Sequence, residues 1–209
     1  MLFRSPQRGV VSPADFIPIA EETGEVMRLG EWVLRSACAE AAKWENPDKI
    51  AVNLSPVQLL QPDLPEIVTR ILLETGLSPR RLELEITETA IISDKVRALH
   101  SLRRIKALGV SAAMDDFGTG YSSLAYLKRF PLTALKIDRS FVHDVHVNPE
   151  AVPIVKAIIA LARTLKLDIV AEGVEHEAQR NFLVDGGCGT LQGYLLGRPM
   201  PIGEFERRY

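Results

Sequence analysis

The chain has 209 residues, of which 46% are hydrophobic and 25% charged, and its formal net charge is -2. That composition fits one globular domain with a sizeable core and leaves no broad basic surface for nucleic acid, so no DNA partner is expected. No apolar run approaches the roughly 18 residues of a membrane span, and no signal peptide is visible. A cytoplasmic location is expected for this stretch, with any membrane anchor of a parent protein lying upstream of it. Cys38 and Cys188 lie far apart, and they read as buried thiols of a reducing compartment rather than as a disulfide.

Met1–Ser5 runs directly into the turn Pro6-Gln7-Arg8-Gly9. With no element before that turn, residues 1–5 are expected to be a non-native start, and residues 6–209 the domain itself. Ser12-Pro13 is a helix start, a hydroxyl cap followed by proline at the first helical position. That helix is expected to pass through Phe16, Ile17 and Ala20 and to stop near Gly24. Trp32, Val33, Ala37 and Ala41 recur at helical spacing and predict a second helix from Gly30 to Trp44. Ile50–Ser55 is strand-like and ends at Pro56. Leu64–Thr75 is helical, with Gly76 as its stop. Leu82–Thr87 is the next strand, and Asp94–Leu108 is a basic amphipathic helix whose charge reads most simply as a solvated outer face.

Val110–Met114 is a strand ending in a turn of two adjacent acids, Asp115 and Asp116. A glycine-rich turn follows, then a helix expected over Ser122–Lys128. Leu135–Asp138 is a short strand and Pro149–Leu165 a helix. Leu167–Ala171 is a strand leading into Glu172-Gly173-Val174-Glu175. A helix is expected over His176–Val184 and a last strand over Gly189–Leu191, followed by Gln192-Gly193-Tyr194. Pro201–Tyr209 is a closing helix or a frayed end.

Strands separated by helices pair in parallel. Each of these strands places a polar residue at its C-terminal end: Asn53, Glu85, Asp115 with Asp116, Lys136, Glu172, Gln192. A TIM-type barrel builds its site from many strand ends, whereas a doubly wound sheet gathers ligands at one crevice. The fold expected is therefore an α/β TIM-like (β/α)8 barrel. About six strands are present here, and the first one or two are expected to precede residue 1.

Two adjacent acids at the end of a buried strand repel each other and are costly to desolvate. A cation relieves this, and oxygen ligands favour a hard one such as Mg²⁺ or Mn²⁺. Asn53, Glu85, Asp115 and Asp116 supply oxygen ligands for one or two such ions, enough to clamp a phosphodiester for in-line attack by water. Lys136 is suited to stabilising phosphate charge, Glu172 to holding or deprotonating the water, and Gln192 to contacting substrate. Each residue also has a structural alternative. Asn53 caps a turn, Glu85 and Glu88 flank an exposed strand edge, Lys136 and Asp138 form an ion pair, and Glu172 with Glu175 begins a helix.

Several ordered stretches resemble the EAL domain family of bacterial cyclic-di-GMP phosphodiesterases. They are Val11–Gly24, Val52-Asn-Leu-Ser55, Leu84-Glu-Ile-Thr-Glu88, Asp115–Leu124, Leu135-Lys-Ile-Asp138, Ala171-Glu-Gly-Val-Glu175 and Gln192-Gly-Tyr194. The resemblance implies a barrel that binds two Mg²⁺ or Mn²⁺ ions and hydrolyses cyclic di-GMP to linear pGpG. By motif position, Asn53, Glu85, Asp115 and Asp116 match metal ligands, and Lys136 and Glu172 match catalytic residues. Gln192, Glu175 and Asp138 match substrate-binding positions. Glu88 matches the residue that anchors the loop containing Gly118, Thr119 and Gly120, which the family links to metal binding and dimerisation. A homodimer and an upstream sensory or cyclase domain are implied as partners.

One departure stands out. The Glu-Ala-Leu motif that names the family would fall just before Met1, and the arginine after it would fall at Leu2. Impaired turnover is therefore expected of the isolated chain. The alternatives are a catalytically inactive cyclic-di-GMP receptor or interaction module and, more remotely, another metal-using barrel enzyme acting on a phosphorylated metabolite.

Overall fold

The computed structural model describes residues 3–118 and 127–208. It opens on a hairpin: β1 (Phe3–Ser5) pairs antiparallel with β2 (Gly9–Val11), Phe3 opposite Val11 and Ser5 opposite Gly9. The turn at Pro6–Arg8 is therefore a hairpin loop with an element on each side. Three-residue strands carry too little alternation to be read from sequence.

Six further strands follow one another in a single sheet, in the order β3-β4-β5-β6-β7-β8. Neighbours in the sheet are neighbours in the chain, as in a barrel wall, and the order never reverses as it does in a doubly wound sheet. Two compact units divide the described chain, residues 3–113 with 127–131 and residues 114–118 with 132–208.

In the first unit, α1 (Pro13–Thr23) starts as expected, with the Ser12 hydroxyl accepting from the Ala14 N–H, and ends at Gly24 in the left-handed conformation. α2 spans Val26–Ala41, starting four residues before the expected Gly30. Its buried stripe is Val26, Leu34, Cys38 and Ala41, while Trp32 is 59% exposed. Of the expected face, Ala41 is buried and Val33 and Ala37 are half-buried, so Trp32 alone is turned outward. Cys38 and Cys188 are both free and buried, and burial pushes the Cys38 thiol up to about 11.

β3 (Ile50–Leu54) pairs in parallel with β4 (Leu82–Thr87), and α3 (Pro56–Leu59) follows β3 directly. Pro56 stops the strand and also begins this helix, capped by Ser55. α4 (Leu64–Thr75) ends at a left-handed Gly76. α5 (Glu88–Ser93) and α6 (Lys95–Ala107) are capped by Thr87 and Asp94. α2 packs on α4 and β3, and α4 packs on α6. The outer face of α6 is partly tied down, since Arg104 pairs with Glu66 of α4 at 2.5 Å and Arg97 with Asp94 at 3.4 Å.

β5 (Ser111–Phe117) runs from the first unit into the second. It continues through both aspartates to Phe117, so Asp115 and Asp116 belong to the strand and not to a turn beyond it. The helix expected over Ser122–Lys128 lies mostly outside the described residues. In the second unit, β6 (Ala134–Ile137) is buried along its whole length. It pairs in parallel with β7 (Asp168–Ala171), which pairs in parallel with β8 (Thr190–Leu191). α7 (Arg139–His143) and α8 (Ala151–Leu165) follow β6, and α8 packs on β6 and β7. α9 (Glu177–Gly186) follows β7, and α10 (Ile202–Arg208) closes the chain as a helix.

Candidate active site

In the first unit, the parallel register sets Asn53 of β3 opposite Glu85 of β4. Residues opposite each other in a ladder share one face of the sheet, so the two side chains lie together. Asn53 is exposed and lines a cavity of about 790 Å³ walled by Pro13, Ile17, Val26, Val33 and Val52. Glu85 is buried, at 8% exposure. The cap after β3 is made by Ser55 and Gln58: the Gln58 N–H donates to the Ser55 hydroxyl and the Ser55 N–H to Gln58 Oε1, each at 3.2 Å. Asn53 is therefore not the capping residue. Glu88 is also buried, and neither of its carboxylate oxygens has a hydrogen-bond partner among the described residues. Glu85 and Glu88 thus do not flank an exposed edge.

In the second unit, consecutive strand residues would ordinarily point to opposite faces. Asp116 breaks that alternation, with φ at +53° in the left-handed region that aspartate tolerates better than most residues. The kink lets both carboxylates act on one side, and the Asp116 N–H donates to Asp115 Oδ1 at 3.0 Å. Carboxylate oxygens of Asp115, Asp116 and Glu172 all lie within 4.8 Å of one another. Three acids so close, half-buried, require positive charge. Lys136 supplies part of it from the middle of buried β6, with Nζ 2.6 Å from Glu172 and 3.3 Å from Asp115. At 3% exposure the ammonium is nearly desolvated, so removing one partner would leave a buried charge uncompensated and cost far more than breaking a surface pair.

Burial raises the Asp116 pKa, and the nearby charges of Asp115 and Asp138 push it the same way, with Lys136 opposing. For Asp138 burial pushes upward too, but hydrogen bonds from the Ser140 hydroxyl and N–H outweigh it and the net shift is downward. Asp138 caps α7, its Oδ1 accepting from the Ser140 N–H at 2.9 Å and from the Ser140 hydroxyl. An acid cluster of this kind, with oxygen donors only, fits a hard divalent ion such as Mg²⁺ or Mn²⁺. The carboxylates that would hold one are Asp115, Asp116 and Glu172. Glu172 was expected as a catalytic residue, and its place among the aspartates makes it a candidate ligand as well.

Gln192 and Glu175 are both exposed. The Gln192 N–H donates to the Ala171 carbonyl at 2.8 Å, and its carbonyl accepts from the Val174 N–H at 3.0 Å. Gly118 has φ +100°, and a Cβ there would stand 2.9 Å from the Phe141 ring. Thr119 and Gly120 lie outside the described residues. Sequence reasoning missed Gln179, which is fully buried behind the Glu172–Glu175 loop. Its position three residues into α9, behind His176, is the capping-box spacing and was the available signal.

The EAL domain model of protein families matches residues 1–199. The chain belongs to the EAL domain family. A signalling protein of Caulobacter vibrioides is 56% identical over 200 residues, which are 96% of this chain and 25% of that protein. The bifunctional diguanylate cyclase/cyclic di-GMP phosphodiesterase MucR of Pseudomonas aeruginosa is 48% identical over 200 residues, covering 94% of this chain and 29% of MucR. This EAL chain thus spans between a quarter and a third of those relatives. The solved PaMucR phosphodiesterase in complex with c-di-GMP superposes with a TM-score of 0.94 at 47% identity, over 98% of this chain and 84% of that one. The fold is that of a TIM-like barrel, with six of its strands among the described residues. No helix among the described residues is long and apolar enough to cross a membrane.

Proposed function

We propose that this EAL domain is the catalytic part of a metal-dependent phosphodiesterase that hydrolyses cyclic di-GMP to linear pGpG. The observation that carries the reading is the trio Asp115, Asp116 and Glu172 within 4.8 Å, with the buried Lys136 ammonium beside it. Asn53 and Glu85, paired in register on β3 and β4, complete the proposed ligand set. Divalent ions bound at these oxygens would supply Lewis acidity, making water more acidic and neutralising phosphate charge.

The chain's own residues take the remaining roles. Glu172 accepts a proton from the attacking water as its oxygen bonds to phosphorus. Lys136, already 2.6 Å from Glu172, holds that carboxylate in place and stabilises the negative charge that grows on the phosphoryl oxygens. The bond from phosphorus to the ribose 3′-oxygen breaks, and that oxygen takes up a proton. Gln192 and Glu175, exposed beyond β8 and β7, and Asp138, which also caps α7, are proposed to contact the nucleotide. Glu88 is proposed to position the loop of Gly118, Thr119 and Gly120. A further signalling domain in the intact protein belongs to the same reading, since MucR couples a cyclase to its phosphodiesterase, and a homodimer is proposed from the family resemblance alone.

The test is chromatographic detection of pGpG from cyclic di-GMP, with Mn²⁺ or Mg²⁺ and with chelator, using the intact protein. Glu172→Ala or Lys136→Ala is expected to lower turnover at least about a hundredfold, the scale of losing a positioned acid-base or charge-stabilising group. Binding of the dinucleotide without cleavage by the unsubstituted protein would replace the enzyme by a receptor. Near-normal turnover in either variant would remove that residue from the mechanism.

A further inference from the structure

We infer that Gln179 is a positioning residue for Glu172: a buried amide that ties the loop after β7 to the helix after β6. The inference rests on the phosphodiesterase reading for its kinetic arm and on structure alone for its binding arm. Gln179 is 0% exposed. Its Oε1 accepts two backbone N–H groups at the far end of the Glu172 loop, from Glu175 at 2.7 Å and His176 at 2.8 Å. Its Nε2 donates to the His143 carbonyl, at the end of α7, at 2.8 Å. One side chain thus joins segments 36 residues apart, and all three of its bonds go to backbone.

The near end of the same loop is held from the same direction. The Glu172 N–H donates to the Ile137 carbonyl at 3.2 Å, next to Lys136. Gly173, at φ +68°, lies so close to α7 that a Cβ would stand 2.6 Å from the Arg139 Cβ. The loop is therefore stitched to the β6–α7 segment at both ends, and Glu172 sits at the stitch nearer Lys136. Four residues are too few to absorb a shift at Glu175 without passing some of it to Glu172. A change of a few tenths of an ångström matters to a carboxylate that shares a 4.8 Å cluster with two others. Buried amides with all bonds made also rigidify what they join, because an unmade bond at such a site is costly.

Gln179→Met removes all three bonds at nearly constant volume. Gln179→Glu keeps an acceptor for the Glu175 and His176 N–H groups but, when ionised, turns the donation to the His143 carbonyl into a repulsion, so it acts chiefly on the tie between loop and helix. Both are compared with the unsubstituted intact protein by thermal unfolding in chelator, by Mn²⁺ titration of the unfolding midpoint, and by steady-state hydrolysis of cyclic di-GMP. The Mn²⁺ concentration for half-saturation is expected to rise about tenfold, and kcat to fall about tenfold with KM within twofold. Should Gln179→Met fail to fold, Gln179→Glu carries the same expectations. A folded variant with unchanged Mn²⁺ half-saturation and unchanged kcat overturns the inference, because a merely structural glutamine would lower the midpoint in chelator and nothing else. An unsubstituted protein that never cleaves the dinucleotide overturns the enzymatic reading instead and leaves the Mn²⁺ arm to decide the role of Gln179.

Discussion

Asp116 is the residue at which stability and the proposed chemistry oppose each other. Its backbone is left-handed and its carboxylate is half-buried beside Asp115 and Asp138. A carboxyl whose folded pKa is raised stabilises the fold below its unfolded pKa, and that contribution is lost as pH rises through the raised value. Once ionised, Asp116 therefore works against folding unless a cation is bound. Asp138 has the opposite sign: its lowered pKa contributes stability above the unfolded value, which is lost on acidification. Asp116→Asn removes the charge while keeping a side chain that suits the left-handed conformation. Its unfolding midpoint in chelator is expected to exceed that of the unsubstituted protein by a few degrees, about the effect of 1 kcal/mol. The rise in midpoint on adding Mn²⁺ should disappear. A lower midpoint in chelator, or an undiminished response to Mn²⁺, would contradict this account. The adjacent acids were legible in the sequence as a concentration of negative charge at a strand end. The kink that turns both to one side was not, since a positive φ at aspartate has no local sequence signature as glycine does.

The same difference between residue type and geometry recurs among the elements. The long strands and helices were legible because their spacing and caps agree, as at Ser12-Pro13 and Gly76. The short helices α3, α5 and α7, of four to six residues, were not, because one turn of helix shows no period. Yet α3 bears on the proposed site, since it starts three residues after Asn53. Its capping residue Gln58 is 6% exposed and fills the space above Gly30 of α2, where a Cβ would stand 1.8 Å from Gln58 Nε2. That contact explains a glycine in the interior of α2, where the residue otherwise costs about 1 kcal/mol. Gly30→Ala is expected to destabilise by about 1–3 kcal/mol through overpacking, read as a lower urea midpoint with an unchanged slope. Combining it with Gln58→Ala should cost less than the sum of the two single changes, because the second removes the group that clashes. Strict additivity would place the cost elsewhere in α2.

For the whole molecule, the sequential strand order and the family were both legible in the sequence, because the motifs fall one per strand end and in chain order. What the sequence could not show is which surface stands beside the first strand of the sheet. β3 is the first strand of the sheet and, among the described residues, pairs only with β4. Its other edge adjoins the apolar cavity of about 790 Å³, where Trp32 is also exposed. A bare strand edge beside exposed apolar surface is a template for pairing with another copy. Ala51 is exposed, second in that edge strand, with Glu83 opposite it on β4. Ala51→Lys places a charge on the edge strand opposite Glu83, which already faces Lys49 at 3.7 Å, so the new lysine adds little to the strand pair itself. The substitution leaves every proposed ligand and catalytic group in place. Light scattering during heating of the chain is expected to set in at higher temperature and higher concentration for Ala51→Lys, with the unfolding midpoint the same or slightly raised. Scattering that follows the unfolding midpoint in both proteins, with no separation between them, would show that association waits for global unfolding and that the β3 edge is not its template.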